Sequence, residues 1–115
     1  MQLEERVVGD VAIVTVTGDI AQGRGNVGLG DKVRSLIQQG YKKLLLDLGG
    51  VSYVDSSGLG ELVYVYASVK NKGGALKLVG VTKRINDLFT LTKLLTVFET
   101  YDTEASALAA FSAAV

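Results

Sequence analysis

The chain has 115 residues with 12 basic and 12 acidic side chains, no Cys and no His. This composition excludes disulfides, thiolate nucleophiles and every catalytic or metal site that needs His or Cys, and the zero net charge offers no overall basic field to nucleic acid or anionic lipid. The apolar runs are far shorter than the roughly 20 residues of a membrane helix. The acidic start also lacks the apolar segment of a signal peptide, so we expect a cytoplasmic chain with no membrane partner.

Two β-strands are predicted at the start of the chain, at Leu3–Val8 and Val11–Thr17, the second rich in β-branched residues. Gly9 and Asp10 between them suit a tight hairpin turn, so the two strands should pair antiparallel. We expect Gly18 to end the second strand.

A glycine-rich stretch follows and predicts a flexible loop from Asp19 to Gly30, with its glycines concentrated in 22–30. Apolar residues then recur at the spacing of one helix face; they are Leu29, Val33, Leu36 and Ile37. Asp31 is a candidate cap or first-turn carboxylate, and Gly40 is a candidate stop.

The rest of the chain alternates predicted strands and helices. The strands are Lys43–Leu48, Ala75–Val79 and Val97–Tyr101, and the first helix of this part runs from about Ser57 to Lys72. Thr82 is a candidate cap of a helix that carries Ile85, Leu88 and Phe89, and a turn is expected at Leu91–Leu95. A last helix begins at Thr103, with Ala105, Leu108, Ala109, Phe111 and Val115 as packing residues. Strand–helix–strand units require parallel pairing. We therefore predict one α/β domain over residues 1–115: a mixed β-sheet, antiparallel at its first hairpin and otherwise largely parallel, with helices packed against it.

Two groups of residues could suggest a ligand site. Gly23 to Gly28 spells G-x-G-x-x-G upstream of Asp47, but residues 19–22 separate it from the strand end where that motif must begin, so a surface loop is favoured over a nucleotide site. Five aspartates could in principle pair around Mg²⁺; they are Asp10, Asp19, Asp31, Asp47 and Asp55. Turn-forming and solvated roles explain them better, so we predict no metal, no cofactor and no catalysis.

The segment Asp55-Ser56-Ser57 lies between the apolar strand 43–48 and the helix that follows it. A carboxylate and two hydroxyls exceed what one helix cap needs. One serine could be the cap and the other incidental, or one could be a phosphoacceptor, since a phosphoryl group is tolerated at a helix N-terminus. The residues alone leave both interpretations open.

Residues 51–60, which read VSYVDSSGLG, together with Gly73-Gly74-Ala75-Leu76-Lys77-Leu78, Leu88-Phe89-Thr90-Leu91-Thr92 and Gly18-Asp19-Ile20, resemble the STAS-domain anti-sigma factor antagonists of bacteria. The resemblance covers nearly the whole chain and implies the same element order. It also implies a binding protein without catalysis, which binds an anti-sigma factor serine kinase when unphosphorylated. That kinase phosphorylates the antagonist, and a PP2C-type phosphatase reverses the modification.

By this resemblance the phosphoacceptor is Ser56, and the partner-binding surface comprises Asp19, Asp55, Ser57, Gly58 and Leu59, with the 19–30 loop beside it. One departure is Ala21, which stands where the family usually has a second acid. Two alternatives are a STAS scaffold that is never phosphorylated, within a sensory or transport-linked assembly, and a small nucleotide-binding domain. We expect a monomer or weak dimer.

Overall fold

A computed structural model describes residues 1–21, 27–94 and 96–113. The strands are β1 (Gln2–Val8), β2 (Val11–Ile20), β3 (Lys43–Val54), β4 (Ala75–Val79) and β5 (Glu99–Tyr101), and the helices are α1 (Val27–Gln38), α2 (Ser56–Asn71), α3 (Lys83–Leu91) and α4 (Glu104–Ala113). The order along the chain is β-β-α-β-α-β-α-β-α, which confirms the predicted order.

The strands form one five-stranded sheet in the order β1-β2-β3-β4-β5. β1 and β2 pair antiparallel across the turn at Gly9, and the other neighbours pair parallel. The predicted mixed sheet is therefore confirmed. Gly9 has φ +61°, the left-handed value that the first central residue of a two-residue hairpin turn requires.

Helices cover both faces of the sheet unequally. α1, α2 and α3 bury side chains on one face, where the larger core includes Leu46, Leu62 and Phe89. α4 covers part of the other face, where Phe111 packs with Ile13 and four further buried residues in a smaller cluster. Alternate residues of one strand reach the two cores, as Leu44 and Leu46 do on one side and Leu45 on the other, because successive side chains of a strand point to opposite faces.

Two strands run further than the sequence indicates. β2 continues past Gly18 to Ile20, and the predicted end at Gly18 is wrong because this residue, at φ +99°, lies within a register shift of the ladder instead of ending it. β3 likewise continues past Leu48 to Val54. Gly50 permits this continuation, since a Cβ there would lie 3.3 Å from the Val16 carbonyl oxygen of the neighbouring strand.

Other differences are local. α1 already begins at Val27, so the last part of the predicted 19–30 loop is helical, and residues 22–26 lie outside the described residues. β5 begins only at Glu99, because the N–H groups of residues 97 and 98 both donate to the Leu94 carbonyl in a turn. In α4 the buried residues are Ala107 and Phe111, while Ala105 and Ala109 are exposed and Val115 lies outside the described residues.

Lys77 is the buried charged residue of the described part of the chain. Its ammonium donates to Glu99 at 2.5 Å and lies 5.5 Å from the Tyr101 ring centroid and 5.1 Å from that of Phe111. Burial by itself lowers the pKa of Lys77, but its hydrogen bond and charge interaction with Glu99, together with Tyr101, raise that pKa overall. Along the described ranges, no helix combines the length and the apolar character needed to cross a membrane.

Candidate functional site

The Asp-Ser-Ser segment joins the end of β3 to the start of α2, and its carboxylate caps the helix. Asp55 has extended backbone angles (φ −92°, ψ −176°), and its Oδ1 accepts a hydrogen bond from the Gly58 N–H at 2.7 Å. Its own carbonyl accepts the first helical bond, from Leu59 N–H at 2.8 Å. Asp55 is thus the N-cap, and the idea that one of the two serines caps α2 is wrong.

Ser56 and Ser57 occupy the first two positions of α2, and both residues are exposed. Since the Asp55 side chain provides the cap, the helix does not depend on the Ser56 hydroxyl for that role. The backbone N–H groups of a first helical turn point toward its N-terminus and favour negative charge there. The exposed serines therefore lie where an added anion is compatible with the helix.

Gly58 lies beneath this surface and is itself buried. A Cβ at this position would lie 1.8 Å from the Ile20 carbonyl oxygen and 2.6 Å from its carbonyl carbon. Only glycine therefore lets α2 approach the end of β2 so closely. Gly58 is therefore a structural residue of the predicted site, which holds the start of α2 against β2. The neighbouring Leu59 is half-buried and packs against the larger core.

The end of β2 brings Asp19 to the same edge of the sheet. Ile20 pairs with Val54, and the Ile20 carbonyl accepts a hydrogen bond from Asp55 N–H at 3.3 Å. Asp19 is exposed, directly before this contact, and Ala21 directly after it is buried. The tertiary structure thus brings the end of β2, where Asp19 lies, next to the start of α2 at Asp55.

Polar contacts fasten α1 to α2 next to this surface. Glu61 Oε1 accepts a hydrogen bond from Gly30 N–H at 2.9 Å, and Arg34 donates to the Tyr64 hydroxyl at 2.6 Å. Arg34 is the main cause of the lowered pKa of Tyr64, to which a Ser68 contact also contributes. Sequence inspection missed these residues because no periodicity indicates which side chain of α2 reaches the first turn of α1.

The other candidate carboxylates have local partners. Asp10 pairs with Lys43 at 2.8 Å, a contact that lowers the Asp10 pKa, and Asp31 pairs with Arg34 at 3.1 Å. Asp47 Oδ1 accepts a hydrogen bond from the Gly49 N–H. In the portion of the chain that the structure describes, no three His, Cys, Asp or Glu residues lie close enough together to hold a metal ion. The glycine motif at 23–28 falls mostly outside that portion.

A shallow apolar groove of about 240 Å³ lies beside the site, between the end of β3 and α3. Its lining includes Tyr53, Leu88 and Leu91. Tyr53 is 46% exposed and Leu91 is 82% exposed, so both present apolar surface to solvent. Tyr53 lies three residues before Ser56 in the chain.

The family profile described as STAS domain matches residues 2–107. The anti-sigma-B factor antagonist of Bacillus subtilis is 42% identical over 66 residues, which are 57% of this chain and 60% of that protein. A solved anti-sigma factor antagonist from Mycobacterium paratuberculosis superposes with a TM-score of 0.82 at 24% identity, covering 95% of this chain and 92% of that one. The phosphorylated form of SpoIIAA, a Bacillus cell fate determinant, superposes with a TM-score of 0.74 at 17% identity, covering 96% and 99%. The chain thus matches about three fifths of the length of the B. subtilis relative, and the two structural likenesses are likenesses of fold.

Proposed function

The chain belongs to the STAS domain family, and on that premise we propose that it is an anti-sigma factor antagonist switched by phosphorylation. Unphosphorylated, it binds an anti-sigma factor that is itself a serine kinase, and so regulates transcription by a sigma factor. The kinase phosphorylates Ser56, which ends the complex, and a PP2C-type phosphatase restores the binding form. The chain performs no catalysis in this cycle.

The observation that carries the proposal is the division of roles between Asp55 and Ser56. The Asp55 carboxylate caps α2, and the exposed Ser56 hydroxyl lies outside that capping bond. Phosphorylation adds roughly −1.5 to −2 charges at neutral pH. Because this charge is placed at a helix N-terminus, the fold tolerates it, and the change is confined to the surface that a partner meets.

The surrounding surface suits a protein partner. Asp55 and Ser57 flank Ser56 in the chain, Asp19 is exposed next to the contact between Ile20 and Asp55, and Leu59 lies one turn further along α2. A partner packed over these residues excludes water, so a phosphate on Ser56 would have to lose hydration when the complex forms. Binding is then weakened by the modification even though the scaffold stays unchanged. The phosphorylated form named for SpoIIAA supports such a cycle for this fold.

The test begins with a pull-down of partners by the unmodified chain, read by mass spectrometry, and continues with calorimetry on the kinase recovered. We expect wild type and Ser56→Ala to bind alike, and Ser56→Asp to bind at least about tenfold more weakly while melting at the wild-type temperature. With ATP, the kinase should phosphorylate wild type and Ser57→Ala but leave Ser56→Ala unmodified. Equal binding by wild type and the Ser56→Asp variant contradicts the proposal.

A further inference from the structure

β1 forms an open edge of the sheet. Among the described residues this strand pairs with β2 alone, and every residue from Glu4 to Val8 is exposed. The strand carries two of the larger exposed apolar side chains, Val7 at 46% and Val8 at 40%. A strand edge of this length presents unpaired N–H and C=O groups to any extended segment that can align with it.

The hairpin geometry identifies the backbone groups that face outward. Val8 opposes Val11 across the two-residue turn, and this closing pair exchanges both of its hydrogen bonds. Hydrogen-bonded and non-hydrogen-bonded pairs alternate along an antiparallel ladder. The N–H and C=O groups of Leu3, Glu5 and Val7 therefore point to the open edge.

The side chains of β1 also divide between the two faces of the sheet. Leu3 packs against the larger core, and Glu5 pairs with Lys32 of α1 at 3.0 Å, so the odd-numbered residues lie on the α1 face. Arg6 pairs with Glu104 of α4, so the even-numbered residues, including Glu4, lie on the α4 face. A strand that pairs with β1 must therefore match Glu4 and Arg6 on the α4 face and Glu5 on the α1 face.

We propose that β1 is a docking edge for β1 of a second copy of this chain, paired antiparallel about a two-fold axis at Glu5. In this register Leu3 of each copy lies directly opposite Val7 of the other copy. Each of these two pairs exchanges backbone hydrogen bonds. On the opposite face Glu4 faces Arg6 of the other copy, again twice. Opposite charges and apolar pairs placed directly across strands stabilise such pairing.

The neighbouring registers are disfavoured by charge. An axis at Glu4 or at Arg6 brings two like charges together on that axis and leaves charged residues opposite apolar or neutral ones, such as Glu5 opposite Val7. In the proposed register the two Glu5 carboxylates also meet at the axis, but each already has a Lys32 ammonium at 3.0 Å from its own copy. Of these three registers, the one with its axis at Glu5 is therefore favoured, since it pairs Glu4 with Arg6 and each Glu5 has a lysine partner.

The dimer leaves the antagonist site accessible. That site lies at the ends of β2 and β3, whereas the axis passes through the middle of β1. Two copies then form a continuous ten-stranded sheet, from the five strands of each, with one Ser56 surface on each half. A single strand edge buries less than the roughly 800 Å² per partner of a stable complex, so we expect association in the micromolar range or weaker.

The experiment uses two oppositely charged variants, Glu4→Arg and Arg6→Glu, with sedimentation velocity over a concentration series. Wild type should dimerise reversibly, and each variant alone should associate at least about tenfold more weakly, since each places two like-charged pairs across the axis. An equimolar mixture of the two should dimerise again, because both pairs between positions 4 and 6 of the mixed dimer are then of opposite charge. Circular dichroism melts check that each variant is folded.

The mixture distinguishes an interface from misfolding, because a damaged fold is not repaired by a second damaged chain. A further variant, Val7→Pro, removes an outward N–H without touching the ladder to β2 and should also be monomeric. Wild type that stays monomeric up to millimolar concentration overturns the proposal. Dimerisation that survives in Glu4→Arg and Arg6→Glu separately overturns it as well, since the contact would then lie elsewhere.

Discussion

Because α2 lies so close to the end of β2, we predict that replacing glycine by alanine has opposite effects on stability at two positions of this helix. Gly58→Ala places a Cβ 1.8 Å from the Ile20 carbonyl oxygen, and reaching even 3.0 Å requires a shift of about 1.2 Å. The obstacle is backbone on both sides, so no side chain can rotate away. We expect a loss of about 3 kcal/mol in the free energy of unfolding, or about 12 °C in melting temperature.

Gly60→Ala is the matched control, because a Cβ there meets nothing within 4 Å. Both glycines lie inside α2, so alanine gains the same helix propensity at each, about 0.5–1 kcal/mol. Urea unfolding of the two variants and wild type measures the difference, which we expect to be about 4 kcal/mol. Equal stability of Gly58→Ala and Gly60→Ala would refute the close approach as the reason for glycine at position 58.

Two further predictions concern single charges. Asp55→Ala removes the α2 cap and should cost about 1 kcal/mol of unfolding free energy, whereas Asp19→Ala, an exposed carboxylate at the same edge, should change it by less than about 0.5 kcal/mol; an equal effect would contradict the capping assignment. Glu99→Gln leaves the buried Lys77 ammonium without its anion and should lower the free energy of unfolding by about 1–2 kcal/mol at pH 7. This cost is smaller than for a fully buried pair because Glu99 is exposed. Lys77→Met should leave the free energy of unfolding nearly unchanged. Lys77 lowers the Glu99 pKa, so this stabilisation is complete above the ordinary pKa of about 4.3 and is lost as pH falls through the lowered folded value. The difference in unfolding free energy between wild type and Glu99→Gln, measured by urea unfolding, should therefore be constant above about pH 4.3 and shrink as the pH is lowered further. A difference that does not change with pH would refute the pair.

Local patterns in the sequence were enough to predict the order of the strands and helices. Alternating and helical periodicities give the strands and helices, and Thr82 caps α3 as predicted, with its Oγ1 accepting a hydrogen bond from Ile85 N–H. Gly40, at φ +99°, follows the end of α1 as expected. These features depend on a few neighbouring residues, which is why they are legible in the chain itself.

The patterns were weaker where residues are nearly alike. α4 is almost entirely small and apolar, so its periodicity does not tell Ala107, which is buried, from Ala105 and Ala109, which are exposed. Two predictions that depended on glycines were wrong. Gly18 reads as a strand end and the glycines at 28 and 30 read as loop, yet the first continues β2 and the others lie inside α1.

The sequence by itself determined that the chain is an α/β domain, and it predicts a functional site at Asp55-Ser56-Ser57, because composition and short-range periodicity limit the alternatives. Only the tertiary structure decided which of these side chains serves the fold. The Asp55 bond to Gly58 N–H is local, whereas the contact of Gly58 with Ile20 depends on parallel pairing of β2 and β3. A contact between segments more than thirty residues apart leaves no periodic trace in either segment, so the close approach of Gly58 to Ile20 could be seen only in the folded chain.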